Sequence, residues 1–545
     1  MQLVRVEIAN FRGIQRLSLS IEELTVLIGE NAWGKSSLLD ALDIFLSPHF
    51  ESYQVKASDF HVDHGLKRQE SQNLYIVLVW QEDYPGDKTA RRYRAFSPFW
   101  QSGNAHGDQL LISMSAHQDA NHHISTQYLF LDAEGGVIPC DEINSLLYKL
   151  RTLHPLVRIR DARRLRRVGA LNNTNSESQQ LRLEKRLNNT CRRLLNNPGH
   201  INSGELKSSI NALHSLVEHY FAFTPHNRSE STYRDVFQSD TLSPLTWLQQ
   251  SRLTKSQKLL MIGLLNAYIR ARGPVTLRRL SRPILVLEDP EGRLHPTVLQ
   301  QAWQFFSPLP IQKLVTTNSA ELLGAMPLHC IRRLLRQQNG TEVFSLPKTL
   351  LSDDQKRRVE FHVRYHRPNA LFARCWLLVE GETEIWLFGE LARILGYHLP
   401  GEGIQLIDFA QSGLKPIIRT ANHFGIEWHL ITDGDPAGKK YVHTAEKLIG
   451  DTKSNTRITL LPERDIEHFL FKNGYEPLFR ELANINPDIP LTPHKIILRA
   501  LKRHAKPDVA LAMIKYTEQQ NNLDFIPVLL RWTLKRVIAL ARSQL

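Results

Sequence analysis

Apolar and polar residues alternate over residues 2–9 (QLVRVEIA) and 24–28 (LTVLI), a period of two that predicts β-strands. Residues 35–46 (KSSLLDALDIFL) carry helical spacing, and 74–80 (LYIVLVW) reads as a further strand. From about 140 to 222 the pattern turns helical, as in INSLLYKLRTL and INALHSLVEHYF. An Asn-, Ser- and Gly-rich stretch at 169–203 predicts a loop between helices there. Short, uninterrupted apolar runs at 283–288 and 312–316 are of the buried-strand type. A polar stretch with Pro and Arg, 347–372, marks a boundary. Beyond it, strands at 375–379, 404–409, 428–432 and 457–461 alternate with helical patterns, which predicts a parallel sheet with helices on both faces. The tail, 494–545, reads as helical.

At 545 residues the chain is too long for one ordinary core of roughly 150 residues. The expected organisation is a multidomain α/β protein: an ATPase part at 1–139, a helical insert at 140–235, a second ATPase part at 236–355, and an α/β domain with a helical tail at 370–545. Hydrophobic residues at 42% and charged residues at 23% fit a globular chain, with no apolar run long enough for a membrane span. The opening MQLVRVEIANFRG lacks the basic end and apolar block of a secretory leader. Four scattered cysteines (Cys140, Cys191, Cys330, Cys375) form no CxxC pair, so a reducing, cytoplasmic setting without disulfides or zinc is expected. The net charge of +13 favours a polyanionic partner. Residues 151–200 hold twelve Lys and Arg against three acids, either a solvated helical face or a nucleic-acid contact.

Two constellations carry chemistry. Gly29-Glu30-Asn31-Ala32-Trp33-Gly34-Lys35-Ser36 fits G-x-x-x-x-G-K-[ST] between a strand and a helix. The glycines let backbone N–H groups wrap phosphates at a helix N-terminus. Lys35 is expected at the β- and γ-phosphates of ATP, Ser36 at Mg²⁺, and Ser37 beside them. The strand 283–287 runs into Glu288 and Asp289, placed to hold the metal and to orient the attacking water. Phe11-Arg12-Gly13, Asn31 within the loop, and Gly292-Arg293-Leu294-His295-Pro296 after the acids resemble the RecF/SMC-like branch of ABC ATPases. That resemblance implies two heads pairing around nucleotide, with residues 253–258 (LTKSQK) in the signature position but lacking its glycine. The switch position holds Asn318 where the family has His, and Asp289 is shorter than the usual Glu. ATP binding with slow or partner-dependent hydrolysis is the expectation.

The second constellation is acidic. Val379-Glu380-Gly381-Glu382-Thr383-Glu384 follows one apolar strand, and Asp433-Gly434-Asp435 follows another. Period-two geometry puts Asp433 and Asp435 on one side, with Glu380 on a neighbouring strand end and Glu384 a helical turn further. Four converging carboxylates repel unless a divalent cation lies among them, and oxygen-only donors suit Mg²⁺ or Mn²⁺. A Glu followed by D-x-D across a βαβ unit resembles the TOPRIM fold of topoisomerases, primases and certain nucleases. Nothing in the chain suggests a topoisomerase tyrosine or a primase zinc module, which leaves phosphodiester hydrolysis.

An ABC head followed by TOPRIM resembles the OLD (overcoming lysogenization defect) family of nucleases over nearly the whole chain. The resemblance implies a first metal among Glu380, Glu384, Asp433 and Asp435. It implies a second at Glu463, Asp465 or Glu467 with Ser412 as helper, and an assisting lysine at Lys506. Glu467 is also placed to pair with Arg464. The expected partners are DNA and a second copy of the chain, joined through the helical insert. Three other readings remain open: an SMC- or RecF-like DNA-binding ATPase without nuclease activity, a DNA-binding regulator, and a small-substrate hydrolase.

Overall fold

The structure, a computed structural model, describes residues 1–31, 33–47, 53–61, 72–102, 107–119, 123–159, 281–292, 311–337, 340–449, 454–486, 489–520 and 522–543, with isolated positions between 296 and 307. The possible signature segment 253–258 and the insert beyond residue 159, including most of its basic run and Cys191, lie outside the described residues. The chain divides into two compact units, one of 1–326 with 330–343 and one of 327–329 with 344–545.

The first unit holds two six-stranded sheets. One contains β1 (Gln2–Phe11), β2 (Ile14–Ser20), β4 (Gln72–Gln81), β5 (Gln109–Gln118), β6 (Ile124–Leu131) and β7 (Val137–Ile138), in the order β2-β1-β4-β5-β6-β7 and antiparallel. The other contains β3 (Leu24–Ile28), β8 (Leu156–Ile159), β9 (Ile284–Glu288), β10 (Lys313–Thr316), β11 (Ile331–Gln337) and β12 (Gly340–Ser345), in the order β12-β11-β3-β10-β9-β8. From β11 through β8 its pairs are parallel. The central strands β3, β9 and β10 are buried along nearly their whole length, which is why β9 and β10 read as continuous apolar runs. Strand β8 corrects the reading of 140–222 as helical throughout. The helix Ile143–Leu153 ends at His154, and the β-branched LVRI joins the sheet beside β9.

In the second unit, β13 (Cys375–Val379), β14 (Ile404–Asp408), β15 (Glu427–Thr432) and β16 (Ile458–Leu460) form a parallel sheet in the order β14-β13-β15-β16. Helices Glu382–Ile394, Leu414–His423 and Pro436–Glu446 supply the crossovers. The tail is part of this core. Ile496, Ile497, Met513, Leu530 and Leu534 from its helices Pro493–Arg503, Lys506–Gln519 and Val528–Arg542 share one buried cluster with Cys375, Leu377 and Val379 of β13. No helix among the described residues is long and apolar enough to cross a membrane.

One polar chain crosses this apolar core. The fully buried His429 of β15 contacts the Thr456 carbonyl through Nδ1 (3.0 Å) and the Thr459 hydroxyl through Nε2 (2.9 Å). Thr459 in turn meets Thr533 at 3.1 Å, and Thr533 donates to the Leu529 carbonyl at 2.9 Å. Burial, followed by the nearby Arg536 and Arg457, lowers the imidazole pKa from 6.5 to about 4. Folding therefore retains the neutral ring. Its stabilisation is complete above pH 6.5 and is lost as pH falls toward 4, by about 3 kcal/mol. Calorimetric unfolding of the full chain between pH 4 and 7.5 is expected to show a pH slope that His429→Gln reduces; equal slopes would contradict this account.

Candidate functional site

In the first unit, the phosphate-loop candidate starts where β3 ends. Gly29 has φ 145°, and a Cβ there would stand 2.8 Å from the Leu334 carbonyl oxygen of β11. Gly34 has φ 95° and closes the turn into the helix Lys35–Leu46. Both positions need glycine, so the sheet neighbours force the loop's shape. Asn31 and Ser36 are exposed and Ser37 is half-buried on the helix's first turn. Lys35 is buried, its ammonium donating to the Gly29 carbonyl and to Asn318 Oδ1 at 2.9 Å. Burial lowers its pKa, against the opposing pull of Asp289, Glu291 and Glu30.

Asn318 follows β10 and joins this loop to the acidic turn after β9. Its N–H donates to Glu291 Oε1 (2.6 Å), and the Thr317 hydroxyl donates to Glu291 Oε2 (3.0 Å). Asp289 adopts φ 44°, with its N–H and carboxylate both meeting the Thr316 hydroxyl at 3.1 Å. Glu288, the last residue of β9, accepts from Arg158 Nε at 2.9 Å, and the same guanidinium reaches Asp40 at 2.5 Å. Asp40 also pairs with Arg12, whose Nε bonds Asp59 at 2.9 Å. Arg158 and Glu291 were not singled out in the sequence. Residue 158 lies on a strand read as helix, and Glu291 was noted only as part of the acidic turn.

In the second unit, the acids gather where β13 and β15 end. β15 stops at Thr432, so period-two alternation does not place the D-x-D pair. A turn and a helix cap place it instead. The Asp433 N–H donates to Glu380 Oε1 at 3.1 Å, and Asp435 caps the helix Pro436–Glu446 by accepting from Gly438 N–H at 2.6 Å. Glu384, in the first turn of the helix Glu382–Ile394, accepts from Gly381 N–H at 3.1 Å. The Glu463 carbonyl accepts from Gly434 N–H at 2.8 Å, while its carboxylate pairs with Lys472 at 2.6 Å. Asp465 caps the next helix and holds His468 Nδ1 at 2.5 Å. Glu467 is buried, and no Arg464–Glu467 ion pair is present among the described residues.

The electrostatics treat these acids as one group. Burial, then Glu380, Glu384, Asp465 and Glu467, raises the Asp433 carboxyl to a pKa of about 8. Burial also raises Glu380, Glu384 and Glu467. Lys506, exposed at the start of its helix, opposes that rise at Glu384 and Glu467. Asp408 at the end of β14 behaves oppositely, with His362 (3.3 Å) and Arg367 (3.6 Å) holding its carboxyl low. The Ser412 and Thr432 hydroxyls are buried with no hydrogen-bond partner among the described residues. No group of three or more His, Cys, Asp or Glu side chains among the described residues is set to hold one metal ion. The acids form an electrostatic cluster rather than a finished coordination shell. Its donors fit a hard divalent cation, being oxygens in surplus over local positive charge.

Residues 1–370 match the family model described as protein of unknown function (DUF2813). The chain belongs to this family. Residues 371–435 match the overcoming lysogenization defect protein-like TOPRIM domain, a span that contains Glu380, Glu384, Ser412, Asp433 and Asp435. Glu463, Asp465, Glu467 and Lys506 lie beyond it. A DUF2813 chain with an OLD-like TOPRIM domain is thus an α/β multidomain protein. It is 38% identical, over all of both chains, to the Escherichia coli (strain K12) protein entitled Uncharacterized protein YbjD. Among solved structures it resembles the C-terminal region of the Xanthomonas campestris pv. campestris OLD protein (18% identity, 32% of this chain and 97% of that chain, TM-score 0.26). It also resembles the SMC head domain from Thermotoga maritima (13% identity, 64% and 100%, TM-score 0.28).

Two substitutions probe the local geometry. A Cβ on Gly438 would run into the Asp433 carbonyl, so Gly438→Ala should destabilise the OLD-like TOPRIM domain by roughly 1–3 kcal/mol in urea unfolding. Lys35→Ala should weaken binding of a fluorescent ATP analogue on the order of tenfold or more, because it removes the cation at the loop. Unchanged affinity would remove this loop from the nucleotide site.

Proposed function

We propose that this protein is an ATP-binding, divalent-metal-dependent DNA endonuclease in which the ATPase regulates the TOPRIM nuclease. The observation that carries the reading is Asp433, whose carboxyl rises to about 8 amid Glu380, Glu384, Asp465 and Glu467. Such an arrangement costs stability in isolation and is tolerated mainly where a bound cation offsets the repulsion. The OLD-like TOPRIM match supports assigning that cluster to phosphodiester hydrolysis.

Mg²⁺ or Mn²⁺ held by Glu380, Glu384, Asp433 and Asp435, and a second ion by Glu463, Asp465 or Glu467 with Ser412, would activate water and neutralise charge on the leaving oxygen. Lys506 stabilises negative charge on the scissile phosphate. Glu380 anchors the Asp433 backbone, and the Asp435 cap orients the second acid of the pair. Gly29, Asn31, Gly34, Lys35, Ser36 and Ser37 hold ATP, with Glu288, Asp289 and Asn318 completing that site. Glu288 is engaged by Arg158, which supports slow hydrolysis until that pair rearranges. We assign 1–159 and 236–355 to the ATPase, because the strand Leu156–Ile159 pairs within its sheet, the remainder of the expected insert, 160–235, to the homodimer contact, and 370–545 to the nuclease with its tail. The Lys- and Arg-rich run and the reducing cysteine pattern support a DNA partner and a cytoplasmic location.

A plasmid assay tests the activity. Purified protein with Mg²⁺ or Mn²⁺ is expected to convert supercoiled DNA to nicked or linear product, with and without ATP setting the extent. Asp433→Asn should lower the rate by at least about a hundredfold while leaving ATP binding intact. DNA retained without product in either metal would instead favour the DNA-binding ATPase reading.

A further inference from the structure

A cluster of buried carboxylates repels the phosphate backbone it is proposed to cut, so the chain needs compensating positive charge on the same unit. The helix Pro493–Arg503 (PHKIILRALKR) contains no acid. Its Ile496, Ile497 and Ala500 are buried in the core, while His494, Lys495, Arg499, Lys502 and Arg503 are exposed. Residues 495, 499, 502 and 503 follow at intervals of four, three and one, which puts their side chains on one helical face. None of the four has a carboxylate partner among the described residues. Leu498, 42% exposed, is the one apolar side chain on that surface.

Both ends of this helix lie near the acidic cluster. His494 Nδ1 lies 3.2 Å from His468 Nε2, the two rings stack with centroids 5.4 Å apart, and His468 is bonded to Asp465. Just past the helix, Lys506 acts electrostatically on Glu384 and Glu467. From Lys495 to Arg503 the helix rises about 12 Å. That spans three or four base-pair steps at ~3.4 Å per strand residue.

We propose that the exposed face of the helix Pro493–Arg503 is the surface that grips the phosphate backbone of duplex DNA and presents it to the carboxylate cluster. This rests on the nuclease reading for its purpose, but the binding surface is testable apart from cleavage. Ion contacts of this kind carry affinity without sequence preference, and releasing counterions from about four phosphates gives a salt slope of about −3.6.

The test uses the full chain and a fluorescein-labelled 30-base-pair duplex, with binding followed by anisotropy in EDTA over a range of salt. Lys495→Gln/Arg499→Gln/Lys502→Gln/Arg503→Gln, checked for an unchanged melting temperature, should bind more weakly by at least about tenfold at low salt. Its slope of log affinity against log salt should be shallower by about three to four. Each single substitution should reduce the slope by about one, which keeps the test valid if the quadruple variant does not fold. Arg357→Gln/Arg358→Gln, on the separate helix Asp353–Val359, should change neither quantity. Native affinity and slope in a folded quadruple variant would overturn the proposal, as would an equal loss in the Arg357/Arg358 control. In the plasmid assay, the quadruple variant should raise KM for DNA while kcat at saturation is kept. Absence of cleavage in every metal would refute the nuclease reading alone, because the anisotropy result is obtained without metal.

Discussion

The second unit is organised around like charges held close together. Glu380, Glu384, Asp433 and Glu467 are each pushed toward the protonated form, chiefly by burial. A fold tolerates such a cluster only if the backbone leaves the acids little freedom to separate. Main-chain hydrogen bonds hold four of the acids. Asp433 N–H binds Glu380, Gly381 N–H binds Glu384, Gly438 N–H binds Asp435, and His468 N–H binds Asp465. The parallel order β14-β13-β15-β16 brings the ends of β13 and β15 side by side, and helix starts supply the N–H groups.

The same tethers explain why the cluster is electrostatic before it is coordinating. A carboxylate oxygen that caps a helix is committed to that N–H, so each acid offers its remaining oxygen to an ion. Asp408 shows the alternative outcome at the neighbouring strand end. With His362 and Arg367 beside it, its charge is already balanced, and it has no surplus to offer. Position at a strand's C-terminal edge is therefore insufficient. The local ratio of acids to cations separates a candidate metal ligand from an ion-paired acid.

Much of this architecture was readable in the residues. The strands β9, β10 and β13 announced themselves as short apolar runs, because strands buried on both faces carry no polar alternation. The antiparallel strands β5 and β6 escaped because their exposed faces mix Ser, Gln and Tyr with apolar positions, as in QLLISMSAHQ. Strand β8 escaped because four residues next to a helix are too short to show a period. In the candidate sites, motif spacing singled out Lys35, Glu380 and Asp433. It could not identify Arg158, whose partners Asp40 and Glu288 lie 118 and 130 residues away. Contacts of that separation exist only once the sheet has assembled.

Arg158 also links the phosphate-loop candidate to the rest of its unit. Through Asp40 it connects the helix behind the loop to Arg12 and Asp59, and through Glu288 it holds the acid at the end of β9. A divalent ion at Glu288 would compete with the guanidinium for the same oxygens, since both need the ionised carboxylate. Arg158 therefore joins the acid at the end of β9 to the helix that follows the phosphate-loop candidate. Arg158 itself lies within the Lys- and Arg-rich stretch 151–200.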